Sequence, residues 1–345
     1  MTAFSPPAEQ ALAEAGELAF VCRRRELRTV EVFEPNAFYG NDRVLKLYAG
    51  LPPERPLKLV VPHGVVFNDR FVWEAERRAL LPAVLAYSEE RAQAYARATG
   101  KYPIRSAVPF AYLARLLPEV APAGRRGTLF FPSHSTHRVT AAADFSGMAD
   151  AVAALEERYR PVTVCIYWRD YELGHHRPFL QRGLRVVCAG HIFDPDFLFR
   201  LFHLLARHRY AASNVPGSSL VYAVIAGCRY FLVPGFEVAH QGTQAALAQD
   251  LSQGGHALDL LRQAYARAQE EPTRDQRDLV ARVSGLDNLH APGDLRGLLE
   301  MADRLDRIGL ARHPRSRELR ASFPSAYRRA ALRLALKGKR LVMNE

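Results

Sequence analysis

The sequence has no long apolar stretch of the kind that crosses a membrane, because no uncharged run approaches the roughly 20 residues that a bilayer requires. Cysteine is scarce, with 4 in 345 residues, and the four are dispersed, mostly in apolar strand-like runs, without metal-ligand spacing. We interpret them as buried reduced thiols. Repeats of fixed period and low-complexity segments are also missing. These absences argue against membrane-spanning, disulfide-scaffold, zinc-binding and repeat proteins.

Length and composition predict a globular protein of two domains. A chain of 345 residues exceeds the size at which a single core usually stops growing. The apolar fraction of 48% and the charged fraction of 24% are ordinary for a globular protein. Residues 1–17 are acidic and lack the basic-then-apolar layout of a secretory signal, so we expect a cytoplasmic location.

Positive charge is in excess, formally +11 at pH 7, and is concentrated near the C-terminus. A helix over residues 323–341 would carry Tyr327, Leu334 and Leu341 on one side and Arg333, Lys337 and Arg340 roughly opposite. Such a helix fits an anionic membrane surface, which would place the protein peripherally on the inner face of the cytoplasmic membrane. It fits equally well a helix packed on the protein with a solvated basic face. We expect no nucleic-acid partner, because zinc-finger spacing and RNA-binding signatures are missing.

Strand-like and helix-like runs alternate, which predicts an α/β fold with parallel sheets covered by helices. In the first part, strands are expected at residues 17–22, 28–33, 58–64 and 83–88, and helices near 71–81 and 89–100. A Pro-, Gly- and Arg-rich linker follows at 118–126. Five further strands are expected at 127–133, 162–168, 185–190, 209–213 and 229–233, separated by helices, and the pattern is helical from 241 almost to the end. The predicted division is 1–117, linker 118–126, 127–290, and C-terminal helices with a basic tail at 291–345.

Residues 210–233 form the most informative segment, YAASNVPGSSLVYAVIAGCRYFLV. A short strand ends at Asn214, which is a candidate for nucleotide or sugar contact. Gly217, Ser218 and Ser219 then begin an apolar helix that leads to a second strand. The free backbone N–H groups and the positive dipole end of such a helix favour an anion, and the serine hydroxyls add donors. Serine is also an ordinary helix cap and glycine is common in tight connections, so a purely structural role stays open.

Polar side chains follow the other predicted strands at the same edge of the sheet, where such folds bind nucleotides. His63 and Gly64 follow the third strand. Ser133, His134, Ser135 and Arg138 follow the strand that opens the second half, and Arg169 and His191 follow the next two. Arg138, Arg169 and His191 are candidates for nucleotide or sugar contact. We favour phosphate or sugar contact for the Ser133–Ser135 run. For Arg169, with Asp170 and Glu172, a surface ion-pair set is the favoured interpretation, and His191 is equally consistent with nucleotide contact and with a satisfied loop histidine.

These motifs resemble bacterial glycosyltransferases of the two-Rossmann, or GT-B, type that build capsule, lipopolysaccharide or teichoic-acid polymers. The resemblance rests on the HG pair, on GTLFFPSHS and on SNVPGSSLVYAVIAGCRYFLV, and covers most of residues 125–240. It implies an acceptor-side Rossmann-like domain at 1–117 and a nucleotide-sugar donor domain at 127–290, with Ser218 and Ser219 on the donor phosphate. Sialic-acid and Kdo transferases pair such serines with a histidine loop, but the His-Pro dipeptide common there is absent at His134 and His191.

Glycosyl transfer needs a base for the acceptor hydroxyl and cationic or N–H groups for the departing phosphate. We expect His63 or Asp69 to be the base, and Asp42 is the next candidate. Asn-Asp pairs such as the one ending at Asp69 also form ordinary turns. Because no DxD-like pair follows a strand, the predicted reaction uses no metal and no cofactor beyond the nucleotide-sugar, with a glycan or lipid-linked acceptor. The alternatives are a nucleotide-sugar 2-epimerase and a non-catalytic nucleotide-sugar-binding subunit.

Overall fold

The computed structural model describes residues 18–312, except 69, 118–123, 137, 245–246 and 248–254. Candidate Asp69, most of the predicted linker and the basic tail after residue 312 lie outside the described residues. Among the described residues, no helix combines the length and the apolar character that crossing a bilayer requires.

Short helices and a small parallel sheet make up residues 18–117. The helices are α1 (Leu18–Val21), a 3-10 helix (Glu34–Gly40), α2 (Asn41–Tyr48), α3 (Glu74–Arg78), α4 (Glu89–Thr99) and α5 (Pro109–Leu116). Strand β1 (Ala83–Ala86) pairs in parallel with β2 (Tyr102–Arg105), and Val60 forms a single parallel bridge to Val84. The first half therefore has three parallel extended segments. Strand β1 and the helix predicted at 89–100 are confirmed, and the helix predicted near 71–81 is present as the shorter α3.

Two strands predicted in the first half do not form. Residues 17–22 contain helix α1 instead, which packs against the edge of the second-half sheet through buried Val21 and Cys22. Residues 28–33 contain no strand and bend at 32–33, with Val30 51% exposed and Glu31 buried. The alternation is that of a strand, but its buried side is anchored by an ion pair of Glu31 with Lys46, not by a sheet.

The segment around Val60 gains only one backbone neighbour, because a side chain occupies its other edge. Asn36, which is fully buried, donates from Nδ2 to the Leu59 carbonyl (2.8 Å) and accepts from the Val61 N–H at Oδ1 (2.8 Å). Those are the groups that a further strand would have used. The predicted strand at 58–64 is reduced to a bridge. Pro62 has no N–H for the next ladder bond to β1, and the Asn36 amide occupies the other edge.

Residues 124–312 contain the larger sheet and most of the helices. The strands are β3 (Thr128–Phe131), β4 (Thr140–Ala142), β5 (Val162–Ile166), β6 (Arg185–Cys188), β7 (Tyr210–Ser213), β8 (Arg229–Leu232) and β9 (Ala239–Gln241). The helices are α6 (Phe145–Ala153), α7 (Trp168–Glu172), α8 (Arg177–Gln181), α9 (Phe197–Arg207), α10 (Ser218–Ile225), α11 (His256–Ala264), α12 (Arg274–Ser284) and α13 (Pro292–Arg312), with 3-10 turns at Glu157–Tyr159 and Leu286–Asn288. All five strands predicted for this half are confirmed.

The five-stranded sheet is parallel and has the order β6-β5-β3-β7-β8. The chain moves outward from β3 to β6, then returns to β7 on the other side of β3. This reversal is the switch point at which open α/β sheets bind ligands, at the carboxyl ends of the strands. A separate antiparallel ribbon pairs β4 with β9 and was not predicted.

Successive residues of the central strands bury opposite faces of this sheet. Leu129 belongs to a core shared with α9, α10 and the first half, whereas Phe130 belongs to a core with α6 and α8. Helix α5 links the halves, since Phe110 stacks on Tyr222 at a centroid distance of 4.6 Å. The fold is thus α/β with a parallel sheet and helices on both faces, while the division into two Rossmann-like domains at 117 and 127 stays a prediction.

The C-terminal helices return to the first half. The N–H of Val108 donates to the Ser284 carbonyl at 2.9 Å, and Lys58 pairs with Asp306 of α13 at 3.9 Å. Residues near the predicted boundary at 290 are therefore in contact with residues that lie before the predicted linker.

Candidate functional site

The start of α10 lies against the first-half loop that carries His63. Gly217 precedes the helix in an extended conformation, and no side chain caps the helix. The Val65 N–H donates to Ser218 Oγ at 3.0 Å, and a Cβ on Gly64 would lie 3.2 Å from the same oxygen. The structure thus brings together two segments, 63–65 and 217–219, that were singled out separately in the sequence.

Ser219 lies toward the sheet. Burial raises the pKa of Tyr230, and the neighbouring hydroxyls of Ser213 and Ser219 act in the opposite direction. The two serines at the start of α10 therefore differ: Ser218 contacts the first half, and Ser219 lies beside Tyr230 of β8.

Ser133 and Asn214 join the ends of β3 and β7 at the switch point. Asn214 Oδ1 accepts from the Ser133 N–H at 2.7 Å, and its Nδ2 donates to Ser133 Oγ at 3.2 Å. Both residues were predicted to contact the ligand. Here Ser133 and Asn214 form hydrogen bonds to each other. A ligand at the switch point would therefore have to replace these hydrogen bonds or bind above the pair.

Ser135 is held by a buried carboxylate that the ion-pair interpretation did not anticipate. Asp170 is fully buried, and its two oxygens lie 3.1 and 2.9 Å from the Ser135 N–H, with His175 Nδ1 2.9 Å from Oδ1. The surface ion-pair set is confirmed for Arg169 and Glu172, at 2.7 Å, but is wrong for Asp170. Sequence alternation gave no signal for this, because a charge at a helix start is usually exposed.

His191 is a buried neutral histidine. Burial lowers its pKa to about 4, because the charged form would lose its hydration. Its Nδ1 accepts from the Phe193 N–H at 3.1 Å, which places the ring proton on Nε2. The loop is fixed by Asp194, fully buried and paired with Arg200 at 2.8 Å and Arg25 at 2.9 Å. His191 can therefore donate a hydrogen bond at neutral pH but does not carry charge.

A continuous row of aromatic rings connects the three candidate histidines. Its successive members, with centroid distances between 4.1 and 6.0 Å, are Trp73, His63, Phe38, Phe193, His191, Trp168, Tyr167 and His134. We call this set the aromatic row. It crosses from the first half to the second. Phe38, His191 and Trp168 in its middle are buried, so these rings pack the halves together, and only the outer members can face a base or a sugar.

Tyr39 is a site residue that sequence reasoning missed. Its backbone is left-handed, with φ of 60°, which is uncommon for a bulky residue. Its N–H donates to the Ile192 carbonyl at 2.7 Å, and its hydroxyl lies 3.1 Å from the hydroxyl of Tyr167. Tyr39 therefore ties the first half to the aromatic row, although nothing in its local sequence except the following Gly40 marks it.

Arg138 lies at the far end of the loop after β3, where its N–H donates to Thr136 Oγ1 at 3.2 Å. The carbonyl of Arg138 approaches Gly242 beside the β4–β9 ribbon. An open depression of about 510 Å³ lies next to this ribbon, lined by Ala142, Ala143, Asp144, Glu237, Val238 and Ala239. Among the described residues, we find no group of three or more His, Cys, Asp or Glu side chains placed to hold a metal.

Comparisons with known proteins give little beyond this geometry. No protein-family model matches the chain, and no curated protein matches it. Among solved structures, a crystal structure of a point mutant of S. aureus TarM in complex with Fondaparinux, alpha-GlcNAc-glycerol and UDP is similar to it, with a TM-score of 0.33 and 12% identity. The match covers 76% of this chain and 49% of that one, so the chain spans about half the length of TarM. A likeness this low supports no statement about function.

Proposed function

We propose that the protein is a glycosyltransferase that moves a sugar from a nucleotide-activated donor to a surface-polysaccharide or lipid-linked acceptor, without a metal. The observation that carries the proposal is the convergence at one sheet edge. The first-half loop at His63 lies on Ser218 at the start of α10, beside the Ser133–Asn214 pair at the switch point. The loop after residue 62, the end of β3 and the segment after β7 supply these contacts.

The proposed chemistry assigns one task to each group. The N–H groups at the start of α10 and the hydroxyls of Ser218 and Ser219 would hold the donor phosphate as negative charge develops on it. The partly exposed outer members of the aromatic row, Trp73, His63 and His134, would contact base or sugar. His63 and Asp69 stay the sequence candidates for the base that accepts the acceptor proton.

A second function is favoured by the size of the first-half sheet. Three extended segments give a smaller platform than the five strands of the second half. A protein with a reduced first half could bind a nucleotide-sugar without transferring it. Binding of a nucleotide with no turnover of any donor would favour this subunit role over the transferase.

The donor class is tested by thermal shift with CMP, CDP, UDP, GDP and ADP. A ligand that binds only the folded protein stabilises it by about 2.7 kcal/mol at a hundredfold excess over its dissociation constant. We expect one nucleotide base to raise Tm by several degrees and the others to have little effect. No shift with any nucleotide would contradict both the transferase and the binding subunit.

The proposed phosphate-binding site at the start of α10 is tested by the double variant Ser218→Ala, Ser219→Ala. Charge-assisted contacts are worth about 1.5 to 3 kcal/mol each, so we expect nucleotide affinity to fall by at least tenfold in calorimetry. The matched control is Ser146→Ala, because Ser146 is also in the first turn of a helix, α6, but bonds to Arg182. Unchanged nucleotide affinity in the double variant would show that the start of α10 does not bind the donor phosphate.

A further inference from the structure

Three consecutive arginines, Arg23, Arg24 and Arg25, follow helix α1, and the proposed function leaves them unused. Two of them reach the carboxyl ends of β5 and β6. Arg24 forms a two-point ion pair with Glu172 of α7, in which Nε and Nη2 lie 2.6 and 3.2 Å from the carboxylate oxygens. Arg25 pairs with Asp194, in the loop after β6, at 2.9 Å. This segment therefore brings two guanidinium groups to the end of the sheet at which such folds bind ligands.

Positive charge is in excess around these two contacts. We call the connected ion pairs the arginine cluster, and its members are Arg24, Arg25, Arg43, Arg169, Arg200, Glu172, Asp194 and Asp196. Each carboxylate is shared by two arginines, so five positive charges face three negative ones. The carboxylate of Asp170, also on α7, bonds instead to the Ser135 N–H and to His175. The imbalance favours an anion beside the cluster.

His191 lies among these charges and connects the two parts of the cluster. Burial is the main cause of its low pKa, and the charged groups that also act on that pKa are Glu172, Arg25, Asp194 and Arg24. The ring of Trp168, which is 5% exposed, packs against His191 at a centroid distance of 4.1 Å. The guanidinium groups of residues 24–25 and the start of α7 therefore meet around one neutral imidazole.

Three buried N–H groups in this region have no acceptor among the described residues. They are Arg25 Nε, Arg169 Nε and the indole Nε1 of Trp168. Folded proteins rarely leave a buried donor without a partner, because its lost hydration is then not replaced. All three groups are donors, so the missing partner is an acceptor, and the excess positive charge selects an anionic one. The Arg24 side chain is 72% exposed, so an anion can reach the cluster from solvent on that side.

We infer that the arginine cluster is an anion-binding site for a phosphate or carboxylate group. The charges of Arg24, Arg25 and Arg169 attract the group, and the Trp168 N–H donates to it without carrying charge. A guanidinium fits the paired oxygens of either group. This is a second site, because its loops follow β5 and β6, whereas α10 follows β7 on the other side of β3. The inference goes beyond the proposed function and does not rest on it, since anion binding needs no sugar transfer.

The first test follows the indole N–H groups of the ¹⁵N-labelled full-length protein by NMR. The chain has 2 tryptophans, Trp73 and Trp168, so the two indole signals can be assigned with the variant Trp73→Phe. The probes are inorganic phosphate and citrate, added separately at constant ionic strength. We expect the Trp168 signal to shift and saturate, because its N–H gains an acceptor. A shift with phosphate alone identifies a phosphate site, and a shift with citrate alone identifies a carboxylate site. No shift of the Trp168 signal with either probe overturns the inference.

The second test compares Arg169→Gln with Arg23→Gln, each of which removes one positive charge. Arg23 lies over the ring of Phe20 at 3.9 Å and makes no ion pair within the described part of the chain. Because a charge-assisted contact is lost, we expect Arg169→Gln to raise the Kd of the probe at least about fivefold, and Arg23→Gln to change it less than about twofold. Trp168→Phe removes an N–H without changing the charge and should raise the Kd at least about threefold. Equal losses in the two arginine variants would show that net charge alone attracts the anion, and would overturn the site. If Arg169→Gln does not fold, the Trp168 signal of the unmutated chain decides.

The double variant Ser218→Ala, Ser219→Ala separates this site from the one proposed at the start of α10. We expect the probe still to shift the Trp168 signal in that variant. Loss of the shift there would assign the anion to α10 and overturn the second site. Failure of every nucleotide to bind the unmutated chain would contradict the transferase, while the arginine cluster is still decided by phosphate and citrate.

Discussion

At the scale of single residues, burial sets the charge of Glu76 and of His191 in opposite senses. Glu76 is 3% exposed, and burial raises its pKa to about 7 although Tyr95 donates to it at 2.7 Å. The same cause lowers the pKa of His191 to about 4. Both groups are therefore neutral over part of the range in which they would be charged in the unfolded chain, and both tie stability to pH.

The sign of the Glu76 effect follows from proton binding. Between the ordinary value of 4.5 and about 7, the folded protein holds a proton that the unfolded chain has lost. Stability from this group is therefore fully present below about pH 4.5 and falls as pH rises through 7. The effect of His191 on stability has the opposite sign. Between pH 4 and 6.5 the unfolded chain binds a proton that the folded protein does not, so stability rises with pH in this range.

Between pH 5 and pH 8, ionisation of Glu76 lowers the free energy of unfolding of the unmutated chain. We predict that Glu76→Gln removes this decrease. A shift from 4.5 to about 7 corresponds to about 3 kcal/mol as an upper figure. Urea unfolding at pH 5 and pH 8 measures it, as the difference between variant and unmutated chain, which cancels the histidines. Glu74→Gln is the control, because Glu74 is on the same helix but exposed and paired with Arg77 and Arg78. The same pH slope in the Glu76 variant would disprove the assignment.

At the scale of elements, the sequence pattern correctly predicts strands whose backbone groups bond to neighbouring strands. It is wrong where those backbone groups bond to side chains instead. The five second-half strands have continuous apolar runs covered on both faces, and each forms. Strand β2 was missed because it contains Pro103, which lacks a ladder donor and is tolerated at the edge of a two-stranded sheet. The strand at 58–64 was overpredicted because Pro62 ends the ladder to β1 and the Asn36 side chain bonds the backbone groups of the other edge.

The same limit applies to the candidate site. Which polar residues follow the strands could be predicted from the sequence, and Ser133, Asn214 and Ser218 indeed meet one another or the first half. Their partners could not be predicted, because contacts such as Ser135 with Asp170 depend on how two strand-end loops lie across the sheet edge. Long-range side-chain contacts leave no periodic signal in the chain.

Gly40, which joins the 3-10 helix to α2, allows a prediction about stability at the scale of elements. Gly40 has φ of +79°, and a Cβ there would lie 2.2 Å from the Pro195 carbonyl oxygen, whereas Gly50, with φ of +64°, has open space around it. Left-handed backbone costs alanine about 1 to 2 kcal/mol at either position. We predict that Gly50→Ala loses only that amount, while Gly40→Ala loses clearly more because it also pushes the first half off the loop after β6. Denaturant unfolding of both variants checks this, and equal losses would contradict it.

At the scale of the whole molecule, one apolar core runs through both halves, so the candidate site does not depend on a loose hinge for its assembly. Leu45 of α2, Phe110 of α5, Leu129 of β3 and Leu205 of α9 belong to a single cluster. The ion pair of Arg43 with Asp196 and the contact of Tyr39 with Ile192 add polar ties across the same boundary. We therefore expect the halves to unfold in one transition, as single cooperative domains do.

The last prediction follows from the charge of the basic tail, which lies outside the described residues. After Ala321, the chain carries Arg328, Arg329, Arg333, Lys337, Lys339 and Arg340 against a single carboxylate side chain, Glu345. Near an anionic surface each basic residue contributes about 1 kcal/mol, and this attraction is screened by salt. The alanine-rich apolar side adds little, so charge would dominate any membrane binding.

We predict that truncation after Ala321 abolishes sedimentation with anionic phosphatidylserine vesicles and leaves Tm unchanged. Replacement of the six basic residues by glutamine in the full chain should do the same, since it removes the charge but keeps the length. Binding by the unmutated chain should weaken between 50 and 500 mM salt, a range over which screening becomes strong. Equal sedimentation with and without the tail would contradict the membrane role. A lower Tm in the truncated chain would instead show that the tail packs on the protein, because removing a docked helix exposes the apolar surface beneath it.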